Sequence, residues 1–353
     1  MSLNDHTPLK KILLAAPNHF DIYHLMQKDL IALGYDVTIV LSEIPFQYNN
    51  FLQRAYNFFR KVVFKDFNFK KKLIHEKYKN YFNEKISAQA EFDYALFLRA
   101  DLFDSELIQL AKAKSNKLIS YHYDGLKRYP GIFGKIQLFD KFFVFDPEDL
   151  GIDEKVSPVT NCYFEFNSEI NYLHNNHPKN NFYYLGSYEE NRFAILKKLI
   201  AFTKSRNISA KFEILFTKKI KNKEWIIKKN PEITFIKSFR KYESYMDLVK
   251  NSKVIIDLVV ADHNGLSFRV FEALKYKKKL ITTNQYVKYY DFYDSNNIFI
   301  LKEDNYNDLD EFLASEYKKL DQKLYEKYGF TNWSNYILDI APHIPIHLPS
   351  YDY

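Results

Sequence analysis

KKILLAAPNHFDIYHLMQKDLIALGYDVTIVLS, residues 10–42, reads as strand, helix, strand. After its two lysines the run KKILLAAP (10–17) is apolar, as a buried strand is. Over 20–35, Ile22, Leu25, Met26, Leu30 and Leu33 recur at the helical period, and Gly34 stands where the helix should stop. DVTIVLS (36–42) is the next strand. A strand–helix–strand unit of this kind implies a parallel sheet.

Outward from this unit the alternation is interrupted once. Residues 51–82, FLQRAYNFFRKVVFKDFNFKKKLIHEKYKNYF, read as two helices with nine basic residues against two acidic ones. FDYALFLRAD (92–101) and KLISYHYDG (117–125) are predicted strands around a helix at 105–116. A short helix at 130–139 precedes strands at 140–150 and 156–167. The polar stretch LHNNHPKNN (173–181) ends a linker. A second series follows: FYYLGSY (182–188), a long helix from Glu189 to Ser205, and strands at 210–217, 233–239, 253–260, 279–284 and 297–301, with a helix at 242–251. The expected organisation is an N-terminal Rossmann-like domain over 1–172, carrying a basic helical insertion at about 51–85. A C-terminal Rossmann-like domain over 173–331 and a helix and irregular tail over 332–353 complete it.

At 353 residues the chain exceeds one ordinary core, which agrees with two domains. The formal net charge of +7 is modest for this length, and no nucleic-acid recognition motif accompanies it, so nucleic acid is not an expected partner. The 29 Tyr and 32 Phe reflect a general compositional skew and mark no ligand box by themselves. The single cysteine, Cys162, excludes an intrachain disulfide and a cysteine-based zinc site and suits a reducing compartment. The N-terminus lacks a signal core and no apolar run is long enough to span a bilayer, so the expected location is cytoplasmic, with the cytoplasmic face of the inner membrane included.

Chemistry concentrates where KVIIDLVV (253–260) runs into HNGLSFRVFEALKYKKKLITTN (263–284). Asn264, Gly265, Leu266 and Ser267 lie between a strand and a helix, where unpaired backbone N–H groups and the helix dipole suit a phosphate. Gly265 would admit a close ligand, and Arg269 in the first turn could clamp an anion. Glu272 could accept the paired hydroxyls of a ribose; the same spacing also suits an Arg269–Glu272 ion pair on an exposed helix. The loop GSYEENR (186–192) offers Gly186, Ser187 and Arg192 to the same edge, with Lys218 and Lys219 as further candidates. Ligands of open α/β sheets sit beyond the carboxyl ends of the strands, which is where these loops fall.

The Asn264-x7-Glu272 spacing, with GLS inside it and KKLITTN after it, resembles the E-x7-E element of GT-B glycosyltransferases. It is most similar to the bacterial lipopolysaccharide, capsule and CgeB-like branch, as are YHYDGLKRYP (121–130), FDKFFVFDPED (139–149) and VKYYDFYDSNNIFIL (287–301). The resemblance spans most of 10–340 apart from the basic insertion. It implies an α/β GT-B-like fold of two Rossmann-like domains facing across a cleft. It also implies a nucleotide-sugar donor in the C-terminal domain with its ribose on Glu272, and a metal-independent glycosyltransferase that needs no cofactor beyond that donor. The first glutamate of the element is Asn264 here, a departure that weakens a donor-sugar role at that position. The implied acceptor is a bacterial surface glycan, free or lipid-linked, of lipopolysaccharide, lipooligosaccharide or capsule. A nucleotide-sugar epimerase of the same fold, and a non-catalytic scaffold of the assembly machinery, are the alternatives.

Acceptor-side candidates are Asn18, His19, Asp21, Arg99, Asp101, His122 and Asp124, each after a predicted strand of the first domain. An inverting transfer needs a base for the acceptor hydroxyl, and Asp124, Asp101 and His19 are the candidates in that order. Each has an ordinary alternative: a turn at Asp124-Gly125, a helix cap at Asp101, loop carbonyls satisfied by His19. Asp308-Leu309-Asp310 resembles a metal-binding DxD, but its place at an acidic helix start reads as capping and solvation. In the basic insertion, Phe51, Ala55, Phe58, Phe59 and Val62 share one face beside Arg54, Lys61 and Lys65. That face either packs on the first domain or lies on anionic lipid.

Overall fold

A computed structural model describes residues 9–18, 21–166, 180–216, 220, 222–238, 240–259 and 263–350. The strands form two six-stranded sheets. In the first, β1 (Lys10–Ala16) lies between β2 (Tyr35–Leu41) and β3 (Phe92–Leu98). The order continues through β4 (Ser115–His122), β5 (Lys141–Val144) and β6 (Val156–Pro158). The pairs β1·β2, β1·β3 and β3·β4 are parallel. In the second, β7 (Asn180–Ser187) is flanked by β8 (Ala210–Leu215) and then β9 (Ile233–Ile236) on one side. On its other side lie β10 (Ser252–Asp257), β11 (Lys279–Thr282) and β12 (Ile298–Ile300), and every pairing is parallel.

Each central strand is an apolar run that buries both faces, as the interior of a parallel sheet requires. In β1, Ile12 to Ala16 are fully enclosed. The first crossover helix, α1 (Ile22–Ala32), turns Leu25, Met26 and Leu30 inward, and the chain leaves it through Gly34 at φ 87°, a left-handed conformation that glycine adopts at no steric cost. The remaining helices of this half are α2 (Phe51–Val63), α3 (Phe69–Ser87) and α4 (Ser105–Ala113). The second half adds α5 (Glu190–Ser205), α6 (Lys223–Lys229), α7 (Tyr242–Lys250) and α8 (Phe268–Lys275), followed by α9 (Leu309–Ala314), α10 (Gln322–Lys327) and α11 (Phe330–Leu338).

The chain therefore has the α/β class expected, two Rossmann-like halves in succession. Several elements differ in extent from the sequence reading. The stretch 140–150 pairs only over β5, because Asp146 accepts the Glu148 N–H at 3.1 Å and turns Pro147–Asp149 into a short 3₁₀ segment. The strand expected over 156–167 forms only as β6, with a separate parallel bridge from Tyr163 to Gly329, and α6 and α10 are not apparent in the periodicity. By their contacts the described residues divide into two compact units. One holds the chain to His122 and Tyr129–Phe142; the other holds Tyr123–Arg128 and everything from Phe143 onward. No helix among the described residues is long and apolar enough to cross a membrane.

Candidate active site

The order of the second sheet places β7 next to β10, with the chain running outward from β7 to one side and from β10 to the other. Such a reversal leaves a crevice beyond the carboxyl ends of the two strands, where open α/β sheets bind their ligands. Here β7 leads into α5 and β10 leads into α8. Arg192 stands in the first turn of α5 and Arg269 in the first turn of α8.

The two guanidiniums share neighbours. Arg269 Nη1 lies 3.2 Å from Asp257 Oδ1, at the last residue of β10, and the Tyr184 phenol of β7 and Asp257 act on both arginines. Burial, together with the nearby Arg269 cation, pulls the Arg192 pKa below its usual value despite Tyr184 and Asp257. Nε of each arginine is enclosed and has no hydrogen-bond partner among the described residues. Asp257 faces both cations, Glu272 also acts on Arg269 and Glu189 on Arg192, so the suitability of the crevice for an anion rests on the guanidinium donors themselves and not on a net positive charge. At the start of α8, Ser267 does not cap the helix with its side chain; its hydroxyl donates instead to Asp257 Oδ1 at 2.8 Å. The first N–H groups of α8 thus lack a side-chain acceptor from the cap residue, which adds to the anion-binding character of this end.

Glu272, one turn further along α8, is only 3% exposed. Its Oε2 accepts the Tyr245 hydroxyl at 2.6 Å, and Tyr242 also donates to the carboxylate. Burial raises its pKa to about 7 against the opposing effects of Tyr245, Arg269 and Tyr242. The exposed ion pair that the helix spacing allowed is therefore not what forms: the carboxyl is enclosed and serves two phenols of α7. Below this cluster, fully buried Glu213 of β8 is held by the Arg240 guanidinium, with Nε at 2.6 Å, and by the Tyr183 hydroxyl at 3.1 Å.

The loop between β10 and α8 is engaged by its own half of the protein. The Asn264 N–H donates to Asp146 Oδ2 at 3.0 Å, and its side-chain amide donates to Glu148. Asn284 Nδ2 donates to the carbonyls of Asn264 at 3.1 Å and Gly265 at 3.3 Å, while Asn161 Nδ2 donates to that of Leu266 at 2.9 Å. A Cβ on Gly265 would lie 2.4 Å from the Phe145 ring, so the close neighbour that demands glycine there is Phe145 and not a ligand. Gly186 is similar: a Cβ would lie 2.3 Å from the Tyr184 hydroxyl. Leu266 is buried, and Ser187 closes β7 half-buried. The anion-suited groups are thus Arg192, Arg269 and the start of α8, while Asn264 and Gly265 shape the loop.

In the first unit, Asp101 is gripped by Arg99 through two hydrogen bonds of 2.8 Å, and Arg99 takes a left-handed φ of 57° and stacks on the Tyr129 ring. Both carboxylate oxygens of Asp101 are thereby occupied by Arg99. His122 lies behind it, fully buried, its pKa lowered to about 3 by burial despite Asp101, so it stays neutral. Asp124 is more open; Arg128 Nη1 lies 3.8 Å from its Oδ1, and by its contacts it belongs to the second unit. His19, Lys218 and Lys219 lie outside the described residues. Asp310 of the Asp308-Leu309-Asp310 run pairs with Arg206, Nε to Oδ1 at 2.5 Å.

Asp257, Tyr184, Tyr242 and Tyr245 are site residues that the sequence reading passed over. The one available signal was Asp257, a carboxylate inside the apolar run 253–260. The tyrosines were hidden among 29 of their kind.

No family model matches the sequence, and neither does any curated protein. Among solved structures the fold is similar to MurG of Acinetobacter baumannii, at 11% identity over 94% of this chain and 98% of that one, with a TM-score of 0.42. It is similar to a glycosyltransferase of Rickettsia africae at 14% identity, over 87% and 88% of the two chains, with a TM-score of 0.43. It is also similar to a UDP-N-acetylglucosamine 2-epimerase of Rickettsia bellii at 13% identity, over 79% and 80%, with a TM-score of 0.43. At these values the likenesses carry no weight in assigning an activity.

Proposed function

We propose that the protein is a glycosyltransferase of the GT-B type that moves a sugar from a nucleotide-activated donor to a hydroxyl of a glycan. The observation that carries this reading is the pair Arg192 and Arg269, each with an enclosed Nε that has no partner among the described residues, in the first turns of the two helices that follow the central strands. The donor diphosphate lies against these guanidiniums and the start of α8. They stabilise the charge that grows on the leaving phosphate as the glycosidic bond breaks. Two guanidiniums and a helix end meet that charge without a metal ion. Glu272 takes the ribose by exchanging one tyrosine hydroxyl for a ribose hydroxyl. With inversion at the anomeric carbon, Asp124 removes the acceptor proton, since both carboxylate oxygens of Asp101 are occupied by Arg99. With retention the donor phosphate fills that role. The resemblance of residues 121–130, 139–149, 264–284 and 287–301 to the lipopolysaccharide and capsule branch supports a bacterial surface glycan as the acceptor.

Calorimetry of the full chain against UDP, GDP, ADP, dTDP and CMP tests the donor site. One of them should bind, and Arg192→Gln should weaken it at least about tenfold, or ~1.4 kcal/mol, through loss of a charge-assisted contact. Failure of all five to bind, or an unchanged affinity in the variant, removes the reading. Conversion of a sugar nucleotide to its epimer with no acceptor present would assign the same site to an epimerase.

A further inference from the structure

Helix α2 is built the wrong way round for a helix that packs on a core. Its inward side is polar: Asn57 is the buried residue, and its amide donates to the Tyr48 hydroxyl at 2.9 Å. Arg60 pairs with Asp66 at 2.7 Å beside it. The outward side is apolar. Phe51, Leu52 and Phe58 are 78%, 75% and 68% exposed, and Phe59, Val62 and Val63 continue the same face. At one hundred degrees per residue these side chains fall in one contiguous sector. Phe64 and Phe67, in the turn that follows, extend the exposed apolar surface. The sequence left open whether this face packs inward, and the structure turns it to solvent.

Charge identifies what covers it. The nine basic and two acidic residues between 51 and 82 account for the whole formal net charge of +7, and the rest of the chain is balanced. α2 contains no acidic residue, and its Arg54 and Lys61 have no ion pair among the described residues. Lys65, Lys71 and Lys72 are exposed in the adjoining turn and the start of α3. A second copy of the chain would bring the same concentration of positive charge against it, which opposes self-association through this face. An exposed apolar helix face bordered by unpaired cations fits an anionic bilayer surface, with the aromatic side chains at the acyl boundary and the cations at the headgroups.

We infer that α2 and the turn after it dock the protein onto anionic lipid, lying in the plane of the membrane surface. This stands apart from the donor-site reading, because vesicle binding is measured with no nucleotide or acceptor present. The test is co-sedimentation of the full chain with sucrose-loaded phosphatidylcholine vesicles, with and without about 30% phosphatidylglycerol. The protein should pellet with the anionic vesicles, remain in solution with neutral ones, and be released as salt is raised. Phe58→Ser with Phe59→Ser should lower binding at least about tenfold while the circular dichroism spectrum and melting temperature stay as in the wild type, since both side chains are exposed. Two results overturn the inference: a wild-type protein that stays in solution with anionic vesicles, or a serine variant that binds them equally well. Should vesicle binding be missing and sedimentation velocity reveal a dimer that the serine variant loses, the face belongs to a second copy and the inference also falls.

Discussion

Glu272 carries an ionisable group into a space that disfavours its charge. Its pKa, raised to about 7 by burial, lies above the value of 4.5 for an unperturbed glutamate. The folded protein therefore holds a proton that the unfolded chain has lost between these values. The stability this proton represents is fully present below about pH 4.5 and is lost as pH rises toward 7, on the order of 3 kcal/mol for this carboxyl. Glu272→Gln keeps the acceptor for the tyrosine hydroxyls without the charge. The variant should melt above the wild type at pH 8 and close to it at pH 5; equal melting temperatures at both would show that the carboxyl is not forced to ionise in its enclosure. Glu272→Ala should also weaken nucleotide binding by about 1–3 kcal/mol if the ribose reading is right. An unaltered affinity by calorimetry would confine the residue to holding Tyr242 and Tyr245. The sequence exposed Glu272 as a candidate through its place on a helix after a strand. It hid the phenol donors, because Tyr245 lies 27 residues away on another helix.

The loop from β10 to α8 was legible as a loop, but not for what it touches. A glycine between strand and helix is equally consistent with a ligand or a side chain pressing on the backbone. Only the fold brings Phe145 there, its ring carbons 2.4 and 2.5 Å and its carbonyl oxygen 2.8 Å from where a Cβ would stand. Gly265→Ala should cost about 1–3 kcal/mol, as overpacking of a filled site does, seen as a lower midpoint in urea unfolding. A midpoint equal to the wild type would mean that the loop and Phe145 separate easily. Strand ends were misread for a related reason. KVIIDLVV is apolar at six of its eight residues, yet the strand stops at Asp257, whose carboxylate meets Arg269. For α2 the periodicity revealed an apolar face and not its direction, since spacing is the same whichever way a helix is turned.

At the scale of the whole molecule, charge and chemistry are segregated. The candidate donor groups Arg192, Arg269, Asp257 and Glu272 all belong to the second unit, while the segment that holds the net charge belongs to the first. The parallel order of both sheets was readable from the strand–helix alternation, because a parallel pair needs a crossover. The assignment of Tyr123–Arg128 to the second unit was not, because it follows from contacts between residues distant in sequence such as Leu126 N–H to Asp149 Oδ2 at 2.9 Å. The segregation predicts that surface attraction and nucleotide affinity can be altered separately. Lys71 and Lys72 are exposed, and each basic residue near an anionic surface contributes about 1 kcal/mol. Lys71→Gln with Lys72→Gln should therefore reduce partition onto anionic vesicles roughly thirtyfold at low salt. The difference from the wild type should shrink as salt shortens the reach of the charges to about 8 Å near physiological strength and further above it. Nucleotide affinity and melting temperature should stay at wild-type values, as neither lysine belongs to the unit that carries the arginine pair. A fall in nucleotide affinity alongside the vesicle effect would mean that the two units do not act independently on their ligands.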